Sequence, residues 1–235
     1  MRIHAKGHAS RDFAPDQVIA RVNFTMLRPT YQQALEEGAQ MIANYIAAIS
    51  ERTDFTAEDF KTSSYNVREH FHFASNESKD LSQIGRPDRR ISDGFEFTQS
   101  ATLTFDYDRE RLAKLLLCTA SAPDAPRFNI DFALKDIDAC RRELLPAAFE
   151  IARAKAEKIA QTAGLNNVIC EEVFLDDFHQ TATVGDVQYA KAARLDRLGA
   201  PSVPTFEDRL QTINENFHPE PITVTKHIDS VWMAN

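Results

Sequence analysis

The sequence predicts an α+β fold: an antiparallel-rich sheet or sheets with two long helices packed on one face. Three observations predict it. Val18–Met26 and Phe95–Tyr107 alternate apolar and polar residues with a period of two, the mark of half-buried strands. Two long stretches, from Thr30 to about residue 52 and over about 137–163, repeat apolar residues at three-and-four spacing, the mark of amphipathic helices. The elements follow one another as ββα-ββα-β-α-ββ, an order that suggests antiparallel pairing with helices gathered on a face.

Taken in order, residues 2–9 alternate weakly and read as a short strand. Pro15-Asp16 opens a second, with Val18, Ala20, Val22, Phe24 and Met26 on one side, ending before Pro29. Thr30 offers an N-cap with Gln33 as its capping-box partner. The helix stripe that follows is Ala34, Leu35, Gly38, Met41, Ile42, Tyr45, Ile46 and Ile49. After a turn over 53–59, a strand carries Tyr65, Val67, Phe71 and Phe73 on one side. Residues 74–90 are polar and read as a mobile hairpin loop. In the strand 95–107 only Gln99 interrupts the apolar face, while the opposite Thr/Ser-rich face is wet or shared with a partner.

Asp108 caps a short helix bearing Leu112, Leu115, Leu116 and Cys118. Phe128, Ile130, Phe132 and Leu134 mark another strand. The second long helix has an expected buried stripe of Leu144, Leu145, Ala148, Ile151, Ala152, Ile159 and Ala163. Pro146 removes one backbone donor inside it, so a kink or a separate short helix is expected there. Gly164 is placed as the left-handed residue that ends it. A strand follows that buries Val168, Cys170 and Phe174, or else Ile169, Val173 and Leu175. The segment 178–218 has mixed composition, with Ala190–Leu198 and Thr205–Ile213 as candidate helices. Ile222, Val224 and Ile228 close the chain as a final strand.

Composition removes several function classes. The seven glycines stand at 7, 38, 85, 94, 164, 185 and 199, never clustered. Dinucleotide loops, phosphate loops and nucleophile elbows all need clustered glycine, because backbone can approach phosphate or turn sharply only where Cβ is missing. A net charge of −8 argues against a broad nucleic-acid footprint. The basic cluster Arg86-Pro-Asp-Arg89-Arg90 carries an acid and reads as solvated surface. Cys118, Cys140 and Cys170 are odd in number and widely spaced, hence buried thiols rather than a disulfide framework. No apolar run approaches the length of a membrane span, and no signal peptide precedes the first strand, so the cytoplasm is the expected compartment.

Gly7 followed by Pro15-Asp16, the segment Thr56-Ala-Glu-Asp-Phe-Lys-Thr-Ser-Ser-Tyr65, Gly94-Phe95 before a long alternating strand, and the Ala-rich helix Ala147–Ala160 ahead of Gly164 together resemble the SIMPL family. That family includes bacterial periplasmic immunogenic proteins and an animal protein that binds a signalling kinase. The resemblance covers about residues 2–177 and 219–233, within one domain over 1–235 that carries a variable insertion at about 178–218. The chain departs from the pattern in having His8-Ala9 after Gly7, where a second glycine is usual, and no leader of the kind carried by most bacterial members is expected ahead of its first strand. The resemblance implies an α+β fold, a tendency of bacterial members to homo-oligomerise and, by extension, a stress-related role; it supplies no catalytic motif and no cofactor.

Histidine carries the one metal argument. His70 and His72 lie two apart on a strand and point the same way; His4 and His8 share a face in the same manner. Four imidazoles on adjacent strands would suit zinc or copper. The pairs Glu171-Glu172 and Asp176-Asp177 each split across a sheet, which disfavours shared-proton chemistry. The expected function is therefore non-enzymatic, through homo-oligomerisation or binding of a protein partner. The alternative is a metal protein or small enzyme built on the strand histidines, and a ligand module between sheet and helices is a third option.

Overall fold

The computed structural model describes residues 1–74, 89–122, 126–175, 209–211 and 218–235. Its elements are β1 (Arg2–Phe13), β2 (Gln17–Arg28), α1 (Tyr31–Arg52), β3 (Phe60–Ala74), β4 (Arg89–Asp106), α2 (Arg109–Ser121), β5 (Arg127–Ala133), α3 (Ile137–Thr162), β6 (Val168–Leu175) and β7 (Ile222–Ala234), with a 3-10 turn at Ala57–Asp59. The order is the expected ββα-ββα-β-α-ββ, and the fold class is α+β with antiparallel sheets. The chain divides into two compact units. One gathers the described residues within Met1–Gln17, Phe132–Gln188 and His218–Asn235; the other gathers those within Val18–Asp131 and Tyr189–Phe217.

The first unit is a three-stranded sheet, β1-β7-β6, with α3 on one face. β1 and β7 pair along their whole length, from Arg2 opposite Met233 to Phe13 opposite Ile222. The last strand is thus the centre of its sheet, and the edges are β1 and β6. β7 carries much of the unit's core: Ile222, Val224, Ile228, Val231, Trp232 and Ala234 have almost no exposure.

α3 is one helix through Pro146, so no separate short helix precedes the proline. Asp136 caps it by accepting from the Ala139 amide at 2.7 Å. Gly164, at φ 76°, ends it, and the Leu165 amide reaches back to the Ala160 carbonyl at 2.9 Å. The buried stripe is Leu144, Ala148, Ala152, Ala156 and Ala160, a row at i, i+4. Ile151 and Ile159 lie outside it and are 38% and 45% exposed, against expectation. Small residues won this face because the helix lies directly on β1. A Cβ built at Gly7 would stand 1.9 Å from the Ala148 carbonyl oxygen. Larger side chains along the seam would hold helix and strand apart.

The second unit is a four-stranded sheet, β3-β4-β2-β5, with α1 packed on β4 and β3, and α2 against α1. Each long helix therefore covers one face of its own sheet. Thr30 caps α1 as expected, accepting from the Gln33 amide at 3.2 Å, but the Gln33 side chain meets the Thr30 hydroxyl rather than its backbone. Val18, Ala20, Val22 and Phe24 of β2 and Phe97, Ala101, Leu103 and Phe105 of β4 are buried, as their alternation predicts. Tyr45 of α1 is buried among them and bonds Thr119 of α2 at 2.9 Å. Thr119 in turn donates to the Leu115 carbonyl, so the Tyr45 hydroxyl is the donor of the pair.

The opposite face of this sheet is polar. Ser100 bonds Asn23 at 2.6 Å, Arg68 pairs with Glu96, and Arg21 pairs with Asp131. Residues 75–88, in the expected hairpin loop, and the candidate helix Ala190–Leu198 lie outside the described residues; of the second candidate helix, 209–211 are helical. Among the described residues no helix is long and apolar enough to cross a membrane.

Candidate functional site

His4 and His8 lie on β1 of the first unit, and His70 and His72 on β3 of the second. β1 hydrogen-bonds to β7 and β3 to β4, so the two histidine strands belong to different sheets. Among the described residues no three His, Cys, Asp or Glu side chains form a ready metal cage. Each pair has its own surroundings.

On β1, His4 and His8 occupy the exposed face, as their spacing predicts. His8 stands opposite His227 and stacks on it with ring centroids 6.0 Å apart. His4 borders a shallow cavity of about 310 Å³ with Lys6, Phe174, Asp229 and Val231. Lys6 and Asp229 pair across it at 3.3 Å.

His70 and His72 converge on a residue that the sequence reading passed over. The Nδ1 of His70 is 2.9 Å from one carboxylate oxygen of Asp93, and the Nδ1 of His72 is 2.5 Å from the other. This bridging depends on a β-bulge. His70 stands opposite Gly94 and Phe71 opposite Ser92, which leaves Asp93 as the extra residue of β4. Gly94 makes the bulge, with φ at 117° in a region that residues with a Cβ avoid. A Cβ there would also lie 2.3 Å from the Arg28 carbonyl oxygen. A legible signal was present: an Asp-Gly pair inside a strand pattern marks a bulge or turn, and here it re-aims the acid toward β3.

Burial pushes the Asp93 carboxyl up, but hydrogen bonds from His70 and His72, together with their charge, outweigh it and hold the group below the usual carboxylate range. Nearby, Ser92 donates to Glu69 at 2.7 Å, and Arg90, from the basic cluster, stacks over Phe71 at 3.5 Å. Two protein groups next to the histidines are thus already engaged.

The structure also places most of the other candidate groups. Glu171 and Glu172 do not split as simple alternation requires. A register shift between Cys170 and Glu172 makes Glu171 the unpaired residue, and both carboxylates reach Arg2, at 3.7 and 3.6 Å. Asp176-Asp177 lie outside the described residues. Cys118, Cys140 and Cys170 are free thiols; burial pushes Cys118 and Cys140 above the usual thiol range, the reverse of an activated nucleophile.

Two helix-covered antiparallel sheets, one of them bearing a carboxylate-bridged histidine pair with exposed rings, define an α+β protein. A family model matches residues 3–232, and the chain belongs to that family, SIMPL, described as proteins of unknown function (DUF541). No curated protein matches the chain.

Proposed function

We propose that this protein acts by association with a second copy of itself through the free edge of β6, and not by catalysis. The observation that supports this reading is the exposure of that edge. Ile169, Val173, Phe174 and Leu175 are 55%, 42%, 54% and 48% exposed on a strand whose outer backbone groups have no strand neighbour among the described residues. Such an edge is a template for pairing with another chain.

The sequence of β6, Val-Ile-Cys-Glu-Glu-Val-Phe-Leu, suits a two-fold partner. About an antiparallel axis Val168 meets Leu175, Ile169 meets Phe174 and Cys170 meets Val173, each pair occurring twice. Apolar cross-strand pairs contribute roughly 0.2–1 kcal/mol each before burial is counted. The opposing effect is Glu171 against Glu172, and Arg2 lies beside both carboxylates to offset it. The free thiols suit a reducing compartment, and the reading places the protein in the cytoplasm.

Light scattering of the full chain across a concentration series tests this. The expected result is a dimer or larger assembly, converted to monomer by Ile169→Lys with Phe174→Lys at unchanged circular dichroism. A wild-type monomer throughout, or an assembly untouched by both substitutions, refutes it.

A further inference from the structure

The bridge between Asp93 and the two imidazoles has a chemical consequence. An ionised carboxylate only accepts hydrogen bonds. Both of its oxygens face an Nδ1, so each imidazole must donate from Nδ1. In the neutral ring the other nitrogen, Nε2, then holds the lone pair. The two rings sit on the same side of one strand, brought together on one carboxylate, and their side chains are 43% and 52% exposed. Histidine ligands in metal sites have this arrangement: one ring nitrogen is fixed by a carboxylate and the other is free to coordinate. Nearby formal charge also favours a cation. Asp93 puts a carboxylate against both rings, and Arg68 on the same strand is engaged by Glu96 at 2.9 Å.

We propose that His70 and His72 form a two-imidazole site for a divalent transition-metal ion, with Asp93 as the positioning residue that sets both rings in the coordinating tautomer. The ion completes its shell with water or with a small ligand, because this face of β3 offers two nitrogen donors and not a closed cage. Imidazole donors suit zinc, copper and nickel over magnesium or calcium. This inference is independent of β6 and of self-association.

Asp93 is tested by a substitution that changes hydrogen-bond chemistry and not shape. Asn offers one acceptor and one donor group in place of two acceptors. In Asp93→Asn, one ring keeps its Nδ1 proton; the other is driven to the opposite tautomer and loses its Nε2 lone pair. Calorimetric titration of the full chain with Zn²⁺ is expected to show one equivalent bound. Binding should be lost in His70→Gln and in His72→Gln, weakened about tenfold or more in Asp93→Asn, and unchanged in His4→Gln with His8→Gln. Long-range ¹H–¹⁵N spectra of the metal-free wild type are expected to show the Nδ1–H form at both rings, and their Nε2 resonances should move on adding Zn²⁺. That readout stands even where a variant fails to fold. The absence of stoichiometric Zn²⁺ uptake, uptake that survives His70→Gln and His72→Gln, or Nε2–H rings in the wild type each overturns the proposal.

Discussion

Substituting Gly7→Ala tests how closely α3 is seated on β1. The added Cβ would lie 1.9 Å from the Ala148 carbonyl oxygen, 2.9 Å from its carbon and 3.0 Å from the Ala152 amide nitrogen. All three are backbone atoms, so no side-chain rotation relieves the contact. Restoring an ordinary separation of 3.4 Å requires helix and strand to part by about 1.5 Å. A gap of 0.5–1 Å already forfeits roughly a quarter to a half of the dispersion energy of each contact. The seam concerned is the row Ala148, Ala152, Ala156 and Ala160, all fully buried. Overpacking of a close-fitted core costs about 1–3 kcal/mol, and a rigid backbone clash belongs at the upper end, about 3 kcal/mol. For a chain of this size that lowers Tm by roughly 6–12 °C. Thermal unfolding followed by circular dichroism measures it. Gly164→Ala is the control: its Cβ meets nothing within 4 Å, so only the positive φ opposes it, at about 1 kcal/mol. Adding Ala148→Gly to Gly7→Ala should give no rescue, because glycine keeps the carbonyl that clashes. A Gly7→Ala protein melting within about 2 °C of wild type, or rescue by Ala148→Gly, refutes the close-seam reasoning.

Burial pushes the Tyr45 hydroxyl up to about 12, against an ordinary 10.0. The unfolded chain therefore loses this proton first as pH rises. Stability is intact below pH 10 and falls between about 10 and 12, by roughly 3 kcal/mol in all. Denaturant titrations across that range should show the slope, and Tyr45→Phe should remove this contribution. Thr119→Val leaves the buried Tyr45 hydroxyl without its acceptor and should cost about 1–3 kcal/mol by the same assay, more than Tyr45→Phe, which leaves Thr119 bonded to Leu115. Gly94→Ala faces both a positive φ and the Arg28 carbonyl at 2.3 Å; it should lower Tm and release the Asp93 bridge, seen as loss of the Nδ1–H signals of His70 and His72.

Much of the fold was legible because local patterns report local geometry. The alternation of Val18–Phe24 and Phe97–Phe105 assigns strand and buried face together, since successive side chains must point to opposite sides. Thr30, Asp108 and Gly164 mark helix ends through hydrogen bonds that span only three or four residues. Periodicity misjudged α3. It ranked Ile151 and Ile159 as core by their apolarity, while the seam required alanine for closeness. The candidate site was half visible. His70 and His72 were recognisable as neighbours on one strand face. Asp93 was not, because alternation places it wrongly unless the bulge at Asp93-Gly94 is known.

Composition and spacing alone established an α+β chain poor in glycine loops, and its motifs resembled the SIMPL family to which the chain belongs. Element order, helix limits and the polar and apolar faces of most strands came from the same source, because each depends on residues only a few positions apart. Partner choice among the strands belongs to the tertiary structure. It put β7 between β1 and β6, assigned the strand of His4 and His8 and the strand of His70 and His72 to different sheets, and brought Asp93 across to β3. Those outcomes depend on which distant segments bury one another's surface, and a register shift of a single residue redirects a side chain to the other face of the sheet.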